Sequence, residues 1–401
     1  MTRTMAAIPD TLAVERTIPL SVPVLRGNEW KYLKECLDTG WVSSVGPFVD
    51  RFERDLATYV GAAHAVAVVN GTAGLHMALR VVGIEPEDEV MVSTLTFIAP
   101  VNAIRYCQAH PVFVDAHPAT WQMDVEKAAR FLAQECEVRH GACYNRRSGR
   151  RVSAILPVHI LGLACEMDRI LELARTYHLK VVEDAAEGMG VRFRGRHVGT
   201  FGDVGVLSFN GNKIITSGGG GMVVTHSPDS AASVRYLTTQ AKDDEREYIH
   251  NEVGYNYRLT NLQAAVGVAQ LEQLEGFIAK KRAIARAYEQ AFSGLDGVVL
   301  MPTPAHTEPT YWLYTILVRD RRQRDALLAR LAEEGIEARP LWQPIHTQRP
   351  YHGCQAAGPI TVATELYERA VSLPSSVGLS ETDVQHCAGR VRRLLQQGSG
   401  T

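Results

Sequence analysis

The chain has 401 residues, 46% of them hydrophobic and 21% charged, and a formal net charge of −2. This composition suits a globular protein of about two domains and excludes a disordered chain. It also excludes a global electrostatic attraction to nucleic acid or to an anionic membrane surface.

The first segment, 1–17, has no apolar run long enough for a secretion signal, being interrupted by Pro9, Asp10 and Glu15. It is expected to be a loosely ordered arm. No stretch approaches the roughly 18 uninterrupted apolar residues of a membrane span, so the expected compartment is the cytoplasm. From 60 to 226 short apolar runs alternate with helical patterns. AVAVVN (65–70) precedes GTAGLHMALRVVG, whose Leu75, Leu79 and Val82 recur at helical spacing. EVMVSTLT (89–96) precedes a second helical stretch, and PVFVDA (111–116) follows it. AILPVHIL (154–161), LKVVEDAA (179–186), VGVLSF (204–209) and GMVVTH (221–226) continue the series. Strands apolar on both faces and separated by helices predict an α/β domain with a mostly parallel sheet covered on two sides. The basic stretch 133–153 breaks the rhythm and is read as an exposed loop, with a local basic binding patch as the alternative.

After 226 the character changes. Residues 261–292 carry apolar side chains at helical spacing and predict one long amphipathic helix. YWLYTILV (311–318) and IEARPLW (336–342) read as strands, 325–335 and 381–397 as helices, and the terminal GSGT as disordered. The expected division is an arm over 1–17, a large domain over 18–260 and a smaller α+β domain over 261–401. Seven scattered cysteines include no CxxC pair and no ligand spacing, so reduced thiols are expected and no metal site is read.

Three strand ends in the large domain carry chemistry. VVNGTAG (68–74) is a strand, a tight turn and a helix start, where the N–H groups of Gly71, Thr72 and Ala73 suit a phosphate. A βα turn that holds no ligand has the same composition. VVEDAAE (181–187) ends an apolar strand in carboxylates; Asp184 fits a helix cap or a group aimed into a crevice at the strand ends. SFNGNKIITSGGGG (208–221) places Lys213 between Ser208 and four glycines, either as a surface lysine or as an amine beside a phosphate cradle. An aldehyde cofactor held by lysine needs a phosphate anchor, an anion for its ring nitrogen, an aromatic face and an amine. Gly71, Thr72 and Ser208, then Asp184, Phe97 and Lys213, supply one of each.

In that order, NGTAG, TFIA (96–99), VEDAAE, SFNGNK with its glycine run and GYNYRLTNLQAAVG (254–267) resemble the DegT/DnrJ/EryC1/StrS sugar aminotransferase family. The likeness runs from about residue 18 to 395. LDTGWVSSVGPFVDRFE (37–53) and LPSSVG (373–378) look like its LegC/PglE-type branch. The resemblance implies the type I fold of pyridoxal 5′-phosphate (PLP) transferases, aspartate aminotransferase-like, with a large domain of mostly parallel mixed sheet and a smaller α+β domain. It implies that Lys213 bonds covalently to PLP, that Asp184 pairs with the ring nitrogen, and that Phe97 lies on the ring. Gly71, Thr72, Ala73 and Ser208 match the phosphate cradle. Asn256 matches a residue that reaches the cofactor phosphate of a neighbouring subunit, which implies a homodimer with shared sites.

Glu187 departs from the broad family, where His or Gln commonly follows the aspartate by three residues, and agrees with the LegC/PglE-type branch. An ionised carboxylate cannot donate a hydrogen bond, so Glu187 is read as a cofactor neighbour that accepts from substrate. A solvated charge at a helix start is its plainer reading. His346 matches a segment near the substrate, though a lone loop histidine is more often structural.

The implied substrates are a nucleotide-linked keto sugar and the L-glutamate/2-oxoglutarate pair. The favoured sugar is a UDP-linked, 2-N-acetylated 4-keto-6-deoxy hexose, and a GDP-linked 4-keto-6-deoxy sugar is the alternative. Two other readings compete. Sugar dehydration is disfavoured because such relatives typically replace the lysine by histidine or carry cluster cysteines, and a PLP-binding regulator because no basic DNA-binding segment is present. Lys213→Ala is predicted to abolish both turnover and the absorbance of covalently held cofactor; transamination retained without added amine would contradict the assignment.

Overall fold

The structure, a computed structural model, describes residues 17–244 and 246–397. Of the expected arm only Thr17 falls within them, and the terminal GSGT lies outside. Among the described residues nine strands form one sheet. Its main path runs His64–Val68, Gly221–Thr225, Val204–Ser208, Lys180–Asp184, Arg151–Leu156, Glu89–Ser93 and His110–Val114. All neighbours from Val204–Ser208 to His110–Val114 are parallel, and Gly221–Thr225 runs against the strand on either side. The expected α/β fold with a mostly parallel mixed sheet is therefore what the chain adopts. Helices Gly71–Val81, Ala99–Tyr106 and Met167–Tyr177 follow their strands as βα units, and the strands between them are buried almost throughout.

Three expectations need correction. The stretch 133–153 is not a loop: Cys136–Arg139 and Ala142–Asn145 form a hairpin whose second strand joins the sheet at Arg151 and Val152. His140 and Gly141, both at positive φ (51° and 76°), make the two-residue turn whose twist suits a hairpin. Three of its arginines are engaged, with Arg150 on Glu87, Arg151 on Asp88 and Arg139 over the Tyr144 ring.

The long helix of 261–292 is two helices, Asn261–Leu271 and Leu274–Phe292. The break falls where side chains are claimed by the N-terminal helix Glu29–Thr39 and its surroundings. Glu272 accepts from Asn28, Tyr32 and Arg51, and the Gln273 amide donates to Glu29. The first helix packs on Glu29–Thr39 and Pro47–Val60, the second on Glu381–Gln397. Finally, 336–342 makes only isolated pairings, Ile336 with Ile18 and Arg339 with Ser372, because Pro340 has no N–H to extend a ladder. The expected strand within 311–318 is present as Tyr314–Leu317, paired antiparallel with Ala370–Leu373. No helix among the described residues is long and apolar enough to cross a membrane.

One strand positions the site. Successive side chains of Lys180–Asp184 point to opposite faces, so Glu183 and Asp184 face different surroundings. Glu183 is fully buried and accepts from the Gly199, Phe201 and Gly202 N–H groups and from His159 Nε2. The Cys165 N–H donates to His159 Nδ1, so it is Nε2 that carries the proton given to Glu183. Burial opposes ionisation of Glu183, but His159 and the backbone donors outweigh it and hold the carboxyl below its ordinary 4.5. The sign follows from a lowered acid: its contribution to stability is full above pH ~4.5 and is lost as pH falls through the folded value. Glu183→Gln turns an amide NH₂ toward these donors. It is predicted to destabilise the protein by about 2–4 kcal/mol and to flatten the acid limb of a denaturation-midpoint-versus-pH curve. An unchanged acid limb would contradict this account.

Candidate active site

A cavity of about 530 Å³ opens at the C-terminal ends of the parallel strands, the edge where open α/β sheets bind ligands. Gly71, Thr72, Phe97, Asp184, Glu187, Ser208 and Lys213 all face it. These positions are up to 142 residues apart in the chain (213 − 71) and come together because each ends or follows a strand of the one sheet.

At one end the helix Gly71–Val81 starts against the tip of strand Val204–Ser208. A Cβ on Gly71 would lie 3.1 Å from Ser208 Cβ, so glycine is what lets the helix start approach the serine hydroxyl. Asn70 caps this helix, its Oδ1 accepting the Ala73 N–H at 2.8 Å and its carbonyl accepting the Gly74 N–H. Gly71 and Thr72 thus stand at the positive end of the helix beside Ser208, a set suited to an anion.

Near the other end lie the acids and the amine. Asp184 is 3% exposed, and its Oδ1 accepts the Ala186 N–H at 3.0 Å. Burial pushes its carboxyl above the ordinary 3.8, an effect that the Ala186 donor and the Lys213 charge reduce without reversing. Glu187 is buried as well. Its Oε2 accepts the Leu161 N–H at 2.8 Å and its Oε1 lies 3.3 Å from Lys213 Nζ. Burial raises Glu187 too, opposed by Lys213 and Leu161 and aided by Asp184. Lys213 Nζ also sits 4.1 Å from the centre of the Trp312 ring. The Trp312 indole N–H donates to the Asn212 carbonyl at 2.7 Å, and Trp342 stacks parallel to it at 6.5 Å. Phe97 presents its phenyl ring to the cavity while 56% exposed.

Three expected site residues are not brought to this cavity. Ala73 lies inside the first helical turn with its N–H taken by the Asn70 cap, so it is withdrawn from the cradle. The His346 ring is held by Thr94, Nδ1 to Oγ1 at 2.9 Å, and packs edge-on to Phe113; burial lowers its proton affinity, and it serves the packing rather than the cavity. Asn256 is exposed, paired through its backbone with Thr239, and lies outside this chain's cavity. Sequence reasoning missed Trp312, Trp342 and Arg339, which reach the cavity from the C-terminal half. The only signal they offered was composition, two of five tryptophans falling in one short region.

The residues present fit PLP. A buried acid whose proton affinity is raised by burial suits a cationic ring nitrogen, the helix start with Ser208 suits a phosphate, Phe97 offers a flat apolar face, and Lys213 is the amine. No cluster of His, Cys, Asp or Glu that could hold a metal ion occurs among the described residues.

Comparison with known proteins agrees. The model of the DegT/DnrJ/EryC1/StrS aminotransferase family matches residues 23–392. A GDP-perosamine synthase of Caulobacter vibrioides is 40% identical over 381 residues, 94% of this chain and 98% of that protein. Another, from Escherichia coli O157:H7, is 41% identical over 92% of this chain and 95% of its own length. Among solved structures, the aminotransferase TlmJ from Streptoalloteichus hindustanus superposes with a TM-score of 0.86 at 30% identity, covering 96% of this chain and all of that one.

Burial of Asp184 without a contacting cation has a measurable consequence. For an acid raised above its unfolded value, apo-protein stability falls as pH rises from ~3.8 toward the folded value. Asp184→Asn removes that loss at nearly constant shape. The variant is predicted to melt higher than wild type as apo-protein at pH 7, yet to lose about a hundredfold or more in turnover, ~2.7 kcal/mol of barrier. Wild-type turnover in this variant would contradict the role of Asp184.

Proposed function

The chain belongs to the DegT/DnrJ/EryC1/StrS aminotransferase family, and on that premise we propose that it aminates C4 of a GDP-linked 4-keto-6-deoxy hexose with L-glutamate as donor. It is a PLP-dependent sugar aminotransferase acting on nucleotide-linked sugars. Two relatives about 40% identical over nearly their whole lengths carry the name GDP-perosamine synthase. That likeness supports the GDP-linked alternative over the UDP-linked, N-acetylated sugar first favoured, and nothing separately supports the LegC/PglE-type branch. The observation that carries the catalytic reading is the meeting of the Lys213 amine and the buried Asp184 carboxylate in one cavity.

Bound PLP supplies an electron sink for the carbanion formed when an amine substrate loses its α-proton. Lys213 Nζ would hold the cofactor and, when free, would move a proton off the donor's α-carbon and onto the cofactor in the first half-reaction, then off the cofactor and onto C4 of the sugar in the second, acting as general base and then acid each time. Asp184, anchored by Ala186, keeps a proton on the ring nitrogen through its negative charge. Glu187, anchored by the Leu161 N–H, orients Lys213 Nζ and stands ready to accept from the substrate. Gly71, Thr72 and Ser208 bind the phosphate, and Phe97 covers one face of the ring. The chain acts as a homodimer in which Asn256 reaches the phosphate of the neighbouring chain's cofactor. The exposed side chains of Tyr248, Ile249 and Val253 near that residue support an interface there.

Incubation with GDP- and UDP-linked 4-keto-6-deoxy sugars, with product NMR, tests the substrate. The GDP-linked sugar with a C2 hydroxyl is predicted to give a 4-amino product with kcat/KM at least about tenfold above the UDP-linked N-acetyl sugar. The reverse order would overturn the GDP reading while leaving the aminotransferase assignment in place.

A further inference from the structure

Lys281 is unusual for its type. It is 2% exposed on the inner face of helix Leu274–Phe292, whereas lysine is almost never fully buried without a charged partner. Among the described residues no carboxylate pairs with it. Its Nζ donates instead to two main-chain carbonyls, Trp312 at 2.7 Å and Ser375 at 2.5 Å. Burial alone pushes the ammonium down to about 7. A methionine in this place would bury the same stem without that penalty but would leave the Trp312 and Ser375 carbonyls without their shared donor, so what the amine adds is the join between these two segments.

Its two contacts lead to the cavity. Ser375 is tied through its N–H to the carbonyl of Leu20, a cavity residue, and its Oγ accepts the N–H of Tyr314. On the same helix the Tyr288 hydroxyl donates to the Pro374 carbonyl, so the second anchor is itself held. Trp312 is the first anchor. Its backbone is pinned by Lys281, its indole N–H by the carbonyl of Asn212, and its ring lies against Lys213 Nζ. The position of that ring bears directly on the amine, because an aromatic face within about 6 Å of an amine attracts its cationic form.

We propose that Lys281 is a positioning residue for Lys213: by joining the Trp312 and Ser375 carbonyls, its Nζ fixes the Trp312 indole against the Lys213 amine. The proposal rests on the reading of Lys213 as the reactive amine. Lys281 itself touches neither substrate nor cofactor; it acts through the indole.

The test uses PLP-loaded protein and three variants: Lys281→Met, Trp312→Phe, and Lys280→Met as a charge control on the same helix. The chain has five tryptophans, so ¹⁵N–¹H spectra give one indole signal for each, and Trp312→Phe identifies that of Trp312. Lys281→Met is predicted to displace the Trp312 indole signal and to move the pH midpoint of the covalent-cofactor absorbance by at least about 0.5. It is also predicted to lower kcat about tenfold, with KM for the amino donor changed less than about twofold. Lys280→Met is predicted to match wild type in all three. A Trp312 signal and midpoint in Lys281→Met that coincide with wild type would overturn the proposal. If Lys281→Met does not fold, Trp312→Phe decides, because it keeps Lys281 and must still move the midpoint; an unmoved midpoint overturns the proposal there too. Failure of the underlying reading looks different: Lys213→Ala would keep the absorbance band. The Lys281 proposal falls alone when Lys213→Ala loses that band and the other variants keep the wild-type midpoint.

Discussion

Burying an amine beside two carboxylates is the constraint around which this fold is arranged. Lys213, Asp184 and Glu187 share one cavity, largely shielded from water, and each would be destabilising there without fixed neighbours. Lys213 meets Glu187 at 3.3 Å and the face of Trp312 at 4.1 Å, while Asp184 and Glu187 each accept a backbone N–H. Mutual attraction does not fully offset burial, since both acids are held above their ordinary values. A site of this kind is poised rather than relaxed, and a cationic ring and a phosphate are the groups that would complete it.

The sheet supplies the rigidity that such a site requires. Glu183 and Asp184 are adjacent, yet strand alternation sends one into the protein, where four donors satisfy it, and the other into the cavity. The buried acid thereby anchors the strand whose tip carries the functional one. A similar division appears at the first βα turn, where Asn70 consumes the Ala73 and Gly74 N–H groups and so leaves the helix start at Gly71 and Thr72 to face Ser208. Structural and functional members of each motif lie one or two residues apart.

Much of this was legible in sequence because each strand end is a local pattern. VVEDAAE, NGTAG and SFNGNK each show an apolar run followed by residues with a chemical purpose, and parallel βα topology then gathers them on one edge. What stayed hidden depended on tertiary partners. The break at Glu272 comes from tethers to Asn28, Tyr32 and Arg51, which no helical period announces. The 136–145 hairpin was masked by its polar composition, although Cys136, Cys143 and Asn145 are buried. Trp312, about a hundred residues beyond Lys213, belongs to the amine's surroundings only through folding. His346 failed for the opposite reason: a motif match placed it near the substrate, but Thr94 and Phe113 hold its ring in the packing.

The central claim is that one side-chain nitrogen, Lys213 Nζ, carries the cofactor. Borohydride reduction of the PLP-loaded protein followed by peptide mass spectrometry tests it most directly, because reduction makes the linkage permanent wherever it is. A single pyridoxyl adduct on the peptide containing Lys213 is the predicted result. An adduct confined to any other lysine, Lys281 included, or a chain left unmodified after reduction, would contradict the account.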